Sequence, residues 1–119
     1  MLLLIEKYEI RNEKFNDELE GYLYFDTATQ EFSMTLLDDY TNKKPDILIK
    51  LMHDRGIKEV PQHLVKTWIE GRVFPPNRQG LRGMLEEMGM KEYNVHDILV
   101  YFNGKCQMDF SYIKRVDNA

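Results

Sequence analysis

Residues 21–36, GYLYFDTATQEFSMTL, switch faces at every step on either side of one short break. In the first half Tyr22 and Tyr24 share one face, and Leu23 and Phe25 share the other. In the second half Phe32, Met34 and Leu36 alternate with Ser33 and Thr35. A period of two is the signature of a half-buried strand, because successive Cβ atoms in a strand point to opposite faces. The break, TATQ at 27–30, has the length of a hairpin connection. No other stretch limits the fold as strongly, since two strands this closely joined pair antiparallel and their common apolar face needs a cover.

The flanking segments extend the pattern in both directions. LLLIEKYEI (2–10) is a short apolar run without a helix cap, and is predicted to be a strand. The polar stretch RNEKFNDELE turns the chain, so residues 1–37 are expected to form a three-stranded antiparallel meander. DDYTNKKP (38–45) is a loop, and a helical part spans 44–104. Its first helix, DILIKLMHDRG, is capped by Asp46, turns Ile47, Leu48, Leu51 and Met52 inward, and stops at Gly56. The second starts at Pro61 and buries Leu64, Val65, Trp68 and Ile69 before Gly71.

In GRVFPPNRQGLRGMLEEMGM (71–90) the two prolines fit at or before a helix start, with Asn77 as cap. Leu81, Met84, Leu85 and Met88 form the buried stripe and Gly89 the stop. Gly80 and Gly83 weaken such a helix, which points to close approach of another backbone. YNVHDILVYFNG (93–104) is a fourth helix from the Asn94 cap to Gly104, and QMDFSYIKRV (107–116) returns as a final strand. The expectation is one α+β domain over residues 1–119: a small antiparallel sheet, made of the meander and a C-terminal strand, packed against about four short helices.

Charge is unevenly distributed. Residues 1–40 hold ten acids and three bases, and residues 41–119 hold ten acids and thirteen bases. Such asymmetry points to a charged partner. The net charge of −4 argues against a dedicated nucleic-acid binder. Cys106 is the one cysteine, so no internal disulfide forms and a reducing, cytoplasmic setting is expected. MLLLI is cut short by Glu6 and Lys7, unlike a signal peptide, and no stretch reaches the roughly 20 apolar residues of a membrane span.

Three constellations are candidates for chemistry. Arg72, Arg78 and Arg82 could grip phosphate, with Arg78 and Arg82 four apart on one helix face; Glu86 lies a further turn on, where it can pair with Arg82. His53, Asp54, His63, His96, Asp97 and Cys106 are of metal-ligating types, but none follows a recognised ligand spacing. No cofactor is expected, and zinc is the alternative. The third is the acidic set Glu13, Asp17, Glu18, Glu20, Asp26, Glu31, Asp38 and Asp39, expected to be exposed at strand ends and loops, where it can imitate a nucleic-acid backbone or guard sheet edges. Nucleophile-elbow and phosphate-loop motifs are absent, so catalysis is not expected.

From Trp68 the chain runs W-I-x-x-R-x-x-P-P-x-R-x-x-L-R-x-M-L-x-x-M-G-M-x-x-Y and closes with D-F-S-Y-I. Over residues 64–113 it resembles short proteins of Gram-positive bacteria and their phages and plasmids. A looser version is similar to a segment found near HipA-type kinases, whose catalytic motifs this chain lacks. The resemblance implies a mobile-element protein acting in the bacterial cytoplasm by binding, as anti-CRISPR proteins do. The implied partner is an RNA-guided nuclease, whose positively charged channel an acidic surface could occupy, blocking nucleic-acid loading. A DNA-binding or transcriptional accessory protein using the three arginines is the alternative, and a toxin-neutralising or scaffold partner is the third.

Overall fold

The computed structural model describes residues 5–14, 16–37, 47–107 and 109–116. Four strands and four helices follow in the order β1 (Ile5–Asn12), β2 (Glu18–Asp26), β3 (Glu31–Leu36), α1 (Ile47–Asp54), α2 (Gln62–Glu70), α3 (Leu81–Glu87), α4 (Val95–Tyr101) and β4 (Ser111–Arg115). The strands form one antiparallel sheet in the order β3-β2-β1-β4, so the expected α+β architecture holds and the last strand closes beside the first.

The alternation seen in the sequence sets the inner face of this sheet. Tyr8, Leu23 and Met34 lie opposite one another across β1, β2 and β3, and Ile10 lies opposite Ile113 of β4. All five are buried. Gly21 faces Leu36 in the same register. A Cβ there would run into the carbonyl oxygen of Thr35 and come within 3.2 Å of the Leu36 Cα, so this is where two backbones approach closely. Gly80 and Gly83, the glycines the sequence singles out for that role, have nothing within 4 Å of a built Cβ.

Helices cover the inner face. Ile49 and Met52 of α1, Val65, Trp68 and Ile69 of α2, and Leu99 of α4 join the sheet residues in one core. Phe74, Leu85 and Ile98 make a second, smaller cluster under α3, with Leu81, Met84 and Met88 packed against it. Adjacent residues of α4 therefore serve the two clusters: Leu99 the first and Ile98 the second.

Two helices depart from expectation. In α1, Ile49 and Met52 point inward while Leu51 is 44% exposed and Leu48 half-buried. The run ILIKLM offers apolar residues on nearly every side, so its periodicity does not choose a face. Asp46, the expected cap, and the Ile47 side chain lie outside the described residues. In the third helix, neither the prolines nor Asn77 marks the start. A turn carries the amide of Arg78 to the carbonyl of Pro75, Gly80 takes the left-handed conformation at φ 78°, and the helix begins at Leu81. Asn94 caps α4 as expected, its side chain accepting from the Asp97 amide, and Gly56, Gly89 and Gly104 take positive φ after their helices.

Candidate functional site

Arg72 is not part of a basic surface. It follows the end of α2, is only 6% exposed, and its guanidinium lies 3.8 Å from the centroid of the Trp68 ring. Nη2 donates to both carboxylate oxygens of Asp109, at 2.8 and 2.9 Å, and Nη1 donates to the Cys106 sulfur at 3.3 Å. Asp109 accepts from the Ser111 amide, and the Ser111 hydroxyl donates to Glu20. Asn12, paired with Ser111 across β1 and β4, is fully buried beside them. A polar chain thus runs through the interior from α2 to β4 and β2. Such a chain holds elements in register when its members are satisfied. Arg78 and Arg82 remain exposed, but Arg78 lies in the turn before α3, so the two do not share a helix face.

The acidic set also divides. Glu20 is 0% exposed, contrary to expectation. The register between β1 and β2 slips here, pairing Ile10 with Gly21 but Arg11 with Leu19. Glu20 is the extra residue of this bulge, so alternation fails and its carboxylate turns inward to Ser111. Asp17 has φ 55°, a conformation aspartate tolerates, and its carboxylate accepts from the Tyr112 hydroxyl at 2.7 Å. Burial, followed by that hydrogen bond, pushes the Tyr112 hydroxyl up to about 12. Glu13 pairs with Lys105 at 3.3 Å, and Asp26 closes the β2–β3 turn by accepting from the amides of Ala28 and Thr29. Glu13, Asp17 and Glu18 stand at one end of β2 and Asp26 and Glu31 at the other, so they do not form one edge. Asp38 and Asp39 lie outside the described residues.

The histidines sit on three different helices: His53 on α1, His63 on α2 and His96 on α4. Asp54 pairs with Lys50. Among the described residues no three of His, Cys, Asp and Glu come together as a metal-holding group. His96 instead stacks on Phe25, with ring centroids 3.9 Å apart, and its Nε2 lies 2.9 Å from Glu6 and 3.2 Å from the Tyr8 hydroxyl. Burial works to raise the Glu6 carboxyl, but hydrogen bonds from Tyr8 and His96 outweigh it and hold the group below its ordinary value. Burial, followed by the Glu6 carboxylate, pushes the Tyr8 hydroxyl well above its ordinary range. This cluster ties α4 to β1 and β2.

What the sequence reasoning missed is the face built by the end of α4 and by β4. Tyr101 is 52% exposed, Phe102 38% and Val100 38%. Phe102 meets Phe74 edge-on, and the Arg78 guanidinium lies 5.9 Å from the Phe74 ring. Lys105 lines two hollows, one with Phe102, Arg78 and Cys106, the other with Val100, Tyr112, Lys114 and Arg115. Arg78, Lys105, Lys114 and Arg115 thus line two hollows that meet at Lys105, with exposed Val100 beside one and exposed Phe102 beside the other, on a chain of net charge −4. The signal was legible as VYFNGK at 100–105, where bulky residues run to the end of a helix and straight into a lysine. Comparison with family models, with curated proteins and with solved structures finds no match to this chain.

Proposed function

We propose that this protein acts by binding, without catalysis, and that its contact surface is the α4–β4 face rather than the acidic strands. The observation that carries this is the exposure of Phe102 beside Arg78 and Lys105 and of Val100 beside Lys105, Lys114 and Arg115, with Tyr101, also exposed, in ring contact with Phe102. Exposed aromatics next to cations are what association surfaces use: large apolar area for affinity, charge for orientation and on-rate. Glu20, Asp17 and Asp26, by contrast, are engaged in holding turns and strands, while Glu13 pairs with Lys105 at the rim of the proposed face. The resemblance supports reading the chain as an inhibitor of a nucleic-acid-handling host enzyme, of the anti-CRISPR kind, with an RNA-guided nuclease as partner, contacted away from its positively charged channel.

Capture of a purified RNA-guided nuclease on the immobilised protein tests this reading. Retention that is lost in Tyr101→Ala with Lys105→Glu, and kept in Asp17→Asn with Glu31→Gln, supports it. Retention lost only in the acidic pair returns the interface to the strands. A second reading, direct contact with nucleic acid, draws on the same aromatics, since bases stack on exposed rings beside cations. A gel shift with steep salt dependence supports that alternative, and no shift at low salt removes it.

A further inference from the structure

The sheet has two outer edges, and they are treated differently. On β3, alternate residues point their backbone groups away from β2. The Leu36 amide donates to the Lys58 carbonyl, the Met34 carbonyl accepts from the Val60 amide, and the Phe32 carbonyl accepts from the Gln62 side chain. The chain itself covers that edge. On β4 the Val116 amide bonds to the Lys7 carbonyl, which sets the phase: Lys114 and Tyr112 bond to β1, while Ile113 and Arg115 point outward. The Ile113 amide reaches the Asn103 carbonyl at 2.8 Å. The Ile113 carbonyl and both backbone groups of Arg115 have no backbone partner among the described residues. In front of them lies a groove of 350 Å³ whose walls include Val100, Lys105, Lys114 and Arg115.

We propose that this groove takes an extended acidic segment of a partner protein, which adds to β4 as a further strand. Open backbone groups on an edge strand are the template for such addition, and pockets beside the edge select alternate side chains. Arg115 is already paired with Glu6 at 3.4 Å and Lys105 with Glu13 at 3.3 Å, so the charge that selects the occupant is that of Lys114. Lys114 is exposed, and the acid across from it on β1, Glu9, is engaged by both nitrogens of the Arg11 fork. An added strand that places a carboxylate over Lys114 puts its next side chain on the opposite face, toward Val100. The segment recognised therefore alternates acidic and apolar residues. A second copy of this chain does not fit, because β4 against β4 would bring Lys114 and Arg115 of both copies together. The proposal rests on the α4–β4 face being the contact surface, and names what that surface takes.

The test uses a synthetic peptide alternating glutamate and valine, titrated into the isotope-labelled full chain and followed by amide NMR. A lysine–valine peptide and a single-stranded oligonucleotide serve as comparisons. The expected result is saturable shifts at Ile113 and Arg115 with the acidic peptide only. Lys114→Glu and Arg115→Pro should each weaken binding about tenfold or more, and Arg115→Ala less, since proline removes an outward N–H that β1 does not use. Failure of the acidic peptide to shift these amides overturns the proposal, as does equal binding by Arg115→Pro and Arg115→Ala, or preference for the oligonucleotide. Should Arg115→Pro not fold, Lys114→Glu with the shift map decides. A nuclease still captured through Tyr101 and Lys105 but indifferent to Lys114→Glu would keep the proposed function and remove strand addition.

Discussion

Arg72 and Asp109 meet through an ion pair in which one nitrogen, Nη2, reaches both carboxylate oxygens, at 2.8 and 2.9 Å, with the arginine side chain 3% exposed and the aspartate 16%. The pair joins the end of α2 to the segment leading into β4, although the two residues are far apart in the chain. Removing one partner strands a buried charge. Arg72→Ala or Asp109→Ala should each cost about 3–5 kcal/mol in urea unfolding, and Arg72→Lys should rescue little, because an ammonium cannot hold Asp109 and Cys106 together while lying over the Trp68 ring. A loss under about 1 kcal/mol would show that the pair does not support the fold.

The bulge carboxylate and its hydroxyl partner should be coupled. Ser111→Ala and Glu20→Gln, measured singly and together by denaturant unfolding, should give a non-additive energy of about 1 kcal/mol or more. Strict additivity would mean that the Ser111 hydroxyl does not hold Glu20 inward.

Two glycine substitutions should move stability in opposite directions. Gly21→Ala forces its Cβ onto the Thr35 carbonyl and should cost about 1–3 kcal/mol. Gly83→Ala lies inside α3 with open space around it and should stabilise by up to about 1 kcal/mol. Melting both variants beside the parent checks the pair, and equal shifts would contradict the close approach at Gly21.

Glu6 predicts a pH dependence. Its carboxyl in the folded chain sits below the ordinary value of 4.5, so the unfolded chain binds that proton more readily. The resulting stabilisation is present above pH 4.5 and is lost as pH falls through the lower folded value. The stability gap between the parent and Glu6→Gln should therefore narrow on acidification below 4.5 and stay constant just above it. A gap that widens on acidification would reverse the assignment.

Much of the architecture was legible because it is local. Alternation at 21–36 placed two strands and their faces, and Asn94 marked the start of α4, since period and capping depend on neighbours only. What escaped was long-range or irregular. Nothing near Arg72 reveals Asp109, so an internal clamp looked like one member of a basic surface. A one-residue bulge is invisible to period counting, and it turned Glu20 inward. Gly80 delayed the helix past two prolines and separated Arg78 from Arg82. The α4–β4 face required the segment before α3, the end of α4 and the last strand to be brought together, which no spacing rule describes.

The strand order has a consequence for how the molecule comes into being. β1 is an inner strand, yet its second neighbour, β4, is made after the other three strands and all four helices. Until residues 111–115 are synthesised, the β3-β2-β1 meander presents β1 as an unfinished edge. The Asp17–Tyr112 and Glu20–Ser111 bonds cannot form before then. Loop closure of this span makes the final docking slow compared with hairpin formation. The newborn chain therefore passes through a stage in which β1 is open to pairing with other strands, and docking of β4 ends it for β1 by moving the open edge outward to Arg115.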